Sequence, residues 1–164
     1  QAELGVTKDK AADLFNTYHS RVPFVKQLMD KASNRAQDRG QIRTLLGRLC
    51  RFHLWEPNSF GMHKAMTHED ALQEHGPGIK RAYTYKALNK LIQGSAADMT
   101  KKAMLELYKE GIIPHIQVHD ELDISVQDEA HAKKIVEIME HAVTLEVPNK
   151  VDYEYGDNWG EIHG

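Results

Sequence analysis

Apolar residues recur at helical spacing at the start of the chain, alternate with polar ones in two short stretches, and return to helical spacing between and after them. Ala11, Leu14, Phe15 and Tyr18 lie three or four positions apart and predict a helix. Thr7 suits its N-cap, although Lys10 at N3 leaves the capping box incomplete. Pro23 marks a break or a fresh first turn. Val25, Leu28, Met29 and Ala32 carry the stripe on, and Gly40 supplies a C-terminal stop. Two helices are therefore expected over 7–39. Over 41–53, Ile42, Thr44 and Leu46 alternate with Gln41, Arg43 and Leu45, which predicts a short β-hairpin turning near Gly47.

Residues 56–78 are rich in Pro, Gly, His and Ser/Thr and read as a long loop with a short helix around 69–74. The longest helical pattern covers 79–109. Leu88, Leu91, Ile92, Ser95, Ala96, Met99, Ala103 and Leu107 share one face of it, and Gly111 ends it. Ile116 and Val118, then Leu122, Ile124 and Val126, alternate around a polar turn, the pattern of a second hairpin with one apolar and one polar face. Asp128 suits the N-cap of a helix running to about Leu145, and 150–155 reads as a final strand. The expected fold is α+β, with an antiparallel sheet built from the two hairpins and the last strand, and helices on one face.

Composition changes this picture little, but charge does. The net charge of −3 hides a division. Residues 1–109 hold 18 Lys/Arg against 11 Asp/Glu, whereas 110–164 hold 3 against 13. A basic front suits a polyanion, because cations that neutralise phosphates release condensed counterions. An acidic end suits metal binding or a solvated face, and solubilising surfaces account for both halves equally well. No apolar run approaches the ~20 residues of a membrane span. The single cysteine, Cys50, excludes an internal disulfide and fits a reducing compartment. Gln1 in the first position leads us to expect a chain cut from something longer.

Candidate chemistry sits at the tip of the second hairpin, His119-Asp120-Glu121. Adjacent carboxylates at about 4 Å and an effective dielectric of about 20 repel by roughly 4 kcal/mol. Such a pair is tolerated when solvated or when it shares a divalent cation, and Mg²⁺ prefers carboxylate oxygens together with substrate phosphates. Taken alone, Asp-Glu in a turn is more often a solvated turn. On the long helix, Asn89 and Gln93 are four apart and share a face. Gly94 follows in the helix interior, where it costs ~1 kcal/mol relative to alanine. A glycine there points to close approach by another backbone, a nucleic acid or a packed helix.

Together these segments resemble a known family. Gln93-Gly94-Ser95-Ala96-Ala97-Asp98, followed some twenty residues later by Val118-His119-Asp120-Glu121-Leu122, is similar to the last conserved region of family A (polymerase I-like) DNA polymerases. The second segment resembles their motif C. Thr44-Leu45-Leu46-Gly47-Arg48 resembles their Thr-Leu-x-Gly-Arg segment. Phe15, Tyr18, Pro23 and Val25 resemble the helices after the fingers' nucleotide-binding helix, and Asn158-Trp159-x-x-x-His163 resembles the usual C-terminus. Phe52-x-Leu54-Trp55-Glu56-Pro57 is closest to phage-type members.

The resemblance implies two regions, fingers helices over 1–40 and the C-terminal part of the palm over 41–164. It implies template-directed addition of deoxynucleotides to a primer 3′ end, with primer-template DNA and dNTP as partners, in the cytoplasm of a bacterial or phage-infected cell. By this analogy Asp120 is a ligand of two Mg²⁺ ions and Glu121 a secondary one. His119 sits against the primer terminus. Asn89 and Gln93 face the minor groove, where every base pair offers a similar acceptor. Arg48 contacts the primer strand or its terminal phosphate.

The chain departs from the pattern in places. Tyr85 stands where the family often has arginine four residues before the helix Asn, with Arg81 as candidate substitute. Leu49 stands where a second arginine often follows Gly-Arg, and the 56–78 loop is longer than usual. Neither the motif A pattern Asp-x-Ser-x-x-Glu nor the motif B helix ending in Tyr-Gly occurs. The chain is therefore expected to be inactive alone and to need the missing N-terminal part of the polymerase. Two rival readings have other consequences. A non-catalytic DNA-binding accessory would leave its carboxylates idle. A histidine-rich metal protein is disfavoured because His115 and His119, four apart on a strand, lie roughly 13 Å from each other; His63, His68 and His75 could cluster in the loop.

Overall fold

The structure, a computed structural model, describes Gly5 and residues 7–162, so His163 lies outside the described residues. Two helices open the chain, α1 (Lys8–Arg21) and α2 (Pro23–Arg39). The Thr7 hydroxyl accepts from the Lys10 N–H at 3.4 Å, and Pro23 starts the first turn of α2, where its missing N–H costs nothing. Gly40 ends α2 in the left-handed conformation, φ 64°, and its N–H donates to Ala36 O. The stripe predicted on α1 is present but not covered: Leu14, Phe15 and Tyr18 are each half exposed or more, and α1 holds no buried residue.

The chain then turns through β1 (Gln41–Arg43) and β2 (Leu49–Arg51), paired antiparallel with Ile42 opposite Cys50. This is the predicted hairpin. A second ribbon follows that the alternation did not predict, β3 (Trp55–Pro57) against β4 (Ile79–Arg81). The expected loop is thus closed at its base. Between the two strands lies α3 (His68–His75), capped by Thr67 and close to the expected 69–74. Strands of three residues, one containing Pro57, are too short to show a period. Trp55 holds the ribbon instead. It exchanges backbone hydrogen bonds with Met66, and the Arg81 guanidinium lies 4.6 Å from its ring.

The long helix α4 (Ala87–Lys109) begins eight residues later than predicted. Residues 79–81 are strand, Tyr83 has φ 61°, and a 3-10 turn over Thr84–Lys86 leads in. Gly111, φ 77°, follows the end of the helix as expected. The second predicted hairpin is β5 (Ile116–Val118) with β6 (Glu121–Asp123). Asp128 caps α5 (Glu129–His141), accepting from the His131 N–H at 2.7 Å, and α5 stops short of Leu145. The strand expected over 150–155 is not formed. That segment is tied to α5 by Glu140, whose carboxylate accepts from the Val151 N–H at 3.1 Å and pairs with Lys150 at 3.4 Å. The Val151 hydrogen bond, ahead of the Lys150 charge, holds the Glu140 carboxyl below the usual range. A short α6 (Trp159–Ile162) ends the described chain.

The fold is α+β, but among the described residues the strands form three separate two-stranded ribbons rather than one sheet. The chain forms two compact units, 1–94 and 95–164, and α4 runs through the division. In the first, Ala32 and Ala36 of α2, Ile42, Phe52 and Ala87 form the core, with Leu88 and Leu91 against it. In the second, Leu107, Ile112 and Ile135 are the core, joined by Leu122 and Ile124 and by Ile138 and Met139 of α5. Ile92, assigned by periodicity to the buried face of α4, is 55% exposed. On its outer side α4 carries Glu106, whose carboxyl is held below the usual range by Lys102 and Lys109. No helix among the described residues is long and apolar enough to cross a membrane.

Candidate functional site

The first unit presents a cationic group beside a polar helix face. Asn89 and Gln93, one turn apart on α4, are both exposed. The β1–β2 turn comes to this helix. Thr44 is buried, its carbonyl accepts from the Gly47 N–H at 2.9 Å, and its hydroxyl accepts from the Arg48 N–H at 3.0 Å. Gly47 has φ 88°, a conformation that glycine adopts without strain. The Gly47 carbonyl in turn accepts from Arg43 at 2.9 Å. Arg48 then donates from Nη2 to the carbonyl of Gly94 at 2.8 Å, so its guanidinium lies against the residue following Gln93. The close approach at Gly94 is made by side chains, those of Thr44 and Arg48 in the β1–β2 turn, and not by the backbone or packed helix that the sequence suggested.

Arg81 does not stand in for the absent helix arginine. It lies on β4, partly buried, and donates to Gln37 O at 3.1 Å and Phe52 O at 2.9 Å while covering Trp55. Its guanidinium also fills the space beside Gly40, where a Cβ would meet its Cζ at 2.7 Å. The Gln37 and Gly40 contacts join α2 to the β3–β4 ribbon, and those to Phe52 and Trp55 tie β4 to the segment after β2 and to its own partner strand, which makes Arg81 a structural tie.

The second unit presents carboxylates. His119 and Asp120 form the two-residue loop between Val118 and its partner Glu121, and all three of His119, Asp120 and Glu121 are exposed. His119 has φ 54°, in the left-handed region that few residues other than glycine adopt, histidine being among those enriched there. The Gln117 side-chain amide donates to its carbonyl at 3.2 Å. Asp120 therefore sits in the turn rather than on a strand, so the alternation of strand faces does not constrain its direction against Glu121. Both carboxylates line a groove of about 1050 Å³ within this unit. Six acidic side chains line it against one lysine, Lys150, and such a lining concentrates cations.

Asp123 belongs to this wall and was not singled out from the sequence. It lies two residues from Glu121, hence on the same face of β6, and that spacing was the available signal. Its Oδ2 is buried with no hydrogen-bond partner among the described residues. As donors, Asp120 and Glu121 are the hard oxygens that Mg²⁺ takes, and their exposure leaves room for waters and a phosphate. They are an incomplete set: no group of three or more His, Cys, Asp or Glu side chains among the described residues could hold a metal ion. The histidines of the loop do not cluster on a metal either. His63 bonds Ser59 at 3.1 Å, His68 packs on Trp55, and His75 meets Glu74.

Comparison with known proteins bears on both units. Residues 1–161 match the sequence profile of DNA polymerase family A. A DNA-directed DNA polymerase of Pseudomonas phage M6 is 38% identical over 92% of this chain and 20% of its own length. DNA polymerase I of Geobacillus stearothermophilus is 35% identical over 95% of this chain and 17% of its own length. Among solved structures, the polymerase domain of Pol1 from M. smegmatis, in complex with DNA primer-template and dNTP, superposes with a TM-score of 0.69 at 27% identity. That match covers 96% of this chain and 26% of the solved one. The chain thus spans about a fifth of the length of these curated relatives.

Proposed function

The chain belongs to DNA polymerase family A, and we propose on that premise that it forms the C-terminal part of the polymerase active region. In this reading it supplies one of the two carboxylate arms that add deoxynucleotides to a primer 3′ end. The observation that carries the proposal is the placement of Asp120 at the exposed tip of a two-residue hairpin, with Glu121 beside it on an acidic groove.

Family A polymerases are generally dependent on divalent metal ions. Asp120, with Glu121 as a weaker contributor, would hold Mg²⁺, and a second aspartate from outside this chain would complete the set. A metal ion bound there would make the primer 3′-hydroxyl easier to deprotonate and would neutralise charge on the triphosphate. The chain's own residues do the rest by position. His119, held at the turn by its positive φ and by Gln117, lies against the primer terminus. Asn89 and Gln93 offer side-chain amides to the minor-groove acceptors common to all base pairs, so they test pair shape without reading sequence. Arg48 adds a cation next to them, on the primer strand.

With half of the carboxylate set, the 164-residue chain does not extend a primer by itself. The test is primer extension with Mg²⁺ by the purified chain, by the preceding segment of the polymerase, and by the two mixed. Extension is expected only in the mixture and lost with Asp120→Ala. Extension by the chain alone, or an Asp120→Ala mixture as active as wild type, would contradict the proposal. The latter result, with DNA binding retained, would favour a non-catalytic DNA-binding role.

A further inference from the structure

Gly94 is an expensive residue for the middle of a 23-residue helix, and its surroundings give the reason. A Cβ built there would lie 2.9 Å from Thr44 Cγ2 and 3.3 Å from Arg48 Nη2. The first distance is below any real Cβ contact. Thr44 cannot simply turn aside: it is buried, it is β-branched and stiff at χ1, and its hydroxyl holds the Arg48 N–H at 3.0 Å. Any rotation that clears the methyl gives up that bond. The same turn delivers Arg48 to the Gly94 carbonyl at 2.8 Å. One missing methyl on α4 therefore permits two things, the seating of the β1–β2 turn and the anchoring of the guanidinium next to Gln93.

We infer that Gly94 is a positioning residue. Its bare Cα is the seat for the Thr44 methyl, and that fit fixes Arg48 in register with Asn89 and Gln93 for contact with duplex DNA. The inference rests on the reading of Arg48 as a DNA contact. The glycine itself touches no DNA; it acts through Thr44 and Arg48.

The sign of the effect separates this from a structural accident. An alanine in an interior helix position ordinarily stabilises. If nothing depended on the seat, Gly94→Ala would raise Tm by about 3 °C in a chain of this size. The seat predicts the opposite. It also predicts a specific cure, because Thr44→Ser deletes the clashing Cγ2 and keeps the oxygen that accepts from Arg48.

The experiment measures Tm and the affinity of the chain for a primer-template duplex, by fluorescence anisotropy, for wild type, Gly94→Ala, Thr44→Ser, the double variant of these two, Arg48→Ala, and Arg48→Ala combined with Gly94→Ala. Gly94→Ala is expected to lower Tm and weaken binding about tenfold, as does Arg48→Ala. The double variant is expected to return to within about twofold of Thr44→Ser in affinity, with a higher Tm than Thr44→Ser. In the Arg48→Ala background, Gly94→Ala should weaken binding no further, whereas a general loss of structure would add to it.

A raised Tm and unchanged affinity for Gly94→Ala, with Arg48→Ala still weak, overturns the inference and leaves the DNA-contact reading standing. Unchanged affinity for Arg48→Ala overturns the reading and the inference with it. Should Gly94→Ala fail to fold, the double variant decides: a folded double variant with recovered binding supports the seat, and one no better than the single variant overturns it.

Discussion

The two hairpins look alike in sequence, short alternating runs around a polar turn, yet the structure treats them oppositely. The β1–β2 hairpin has a five-residue turn, stitched by Thr44, Gly47 and Arg43 and seated on α4, with Ile42 buried at 3% exposure. The β5–β6 hairpin closes in two residues, and Ile116 and Val118 on its first strand remain 48% and 41% exposed. Only β6 reaches a core, through Leu122. The first hairpin holds a cation still, and the second projects anions into a groove. A residue that only has to meet a phosphate or a base edge gains from being locked beforehand. A carboxylate that shares its ligand with groups from elsewhere has to stay open to them.

The largest effect that tests this contrast is a difference in kind. In polymerase assembled with the preceding segment, Asp120→Ala is expected to lower the extension rate by more than about 10³-fold, with little change in duplex affinity. Arg48→Ala is expected to weaken affinity about tenfold with a smaller effect on rate at saturating DNA. Single-turnover extension and equilibrium binding together separate the two, and equal losses of rate and affinity in both variants would erase the distinction.

Next in size is the backbone of the two turns. Gly47, φ 88°, has nothing within 4 Å of a built Cβ, so Gly47→Ala meets only backbone strain. A loss of about 1–2 kcal/mol is expected in chemical denaturation. His119→Gly removes a positive-φ side chain at the other turn and should change stability by less than about 1 kcal/mol, because relief of strain offsets the entropy of glycine. Stability falling as far for His119→Gly as for Gly47→Ala would mean that the second turn is packed more firmly than its exposure indicates.

The smallest effect concerns the 150–155 segment beside the acidic groove. The Glu140 carboxyl is held below its usual range by the Val151 N–H, so the tether contributes fully above the unfolded carboxylate range and is lost as pH falls through the lowered folded value. Glu140→Gln is expected to raise amide exchange at Val151 at neutral pH and to remove the acid-dependent part of that exchange. Exchange at Val151 that follows pH identically in both proteins would show that Glu140 is not the tether.

Local signals were legible wherever one residue type has one job. Thr7 and Asp128 as caps, Pro23 at a first turn, Gly40 and Gly111 at helix ends, and the two hairpins all follow from backbone chemistry within a few residues. What misled was periodicity carried across a boundary. Residues 79–86 were expected within α4, but 79–81 pair with β3 and the chain turns at Tyr83, with Arg81 held by Trp55, Gln37 and Phe52, all distant in sequence. Over 150–155 the alternation was present, but a strand needs a partner edge, and a side-chain tether from Glu140 took its place.

For the site, the sequence by itself determined the chemical groups and their family: Asp120 and Glu121 at a turn, Asn89 and Gln93 on one helical face, Arg48 after Gly47. Motifs are local, so their order along the chain was enough for that. Tertiary structure alone decided that Arg48 rests on the Gly94 carbonyl, that Arg81 is a tie and not a spare contact, and that Asp123 shares the wall with Glu121. Each of these depends on which distant backbone atom a side chain can reach, and no spacing along a chain encodes a distance through space.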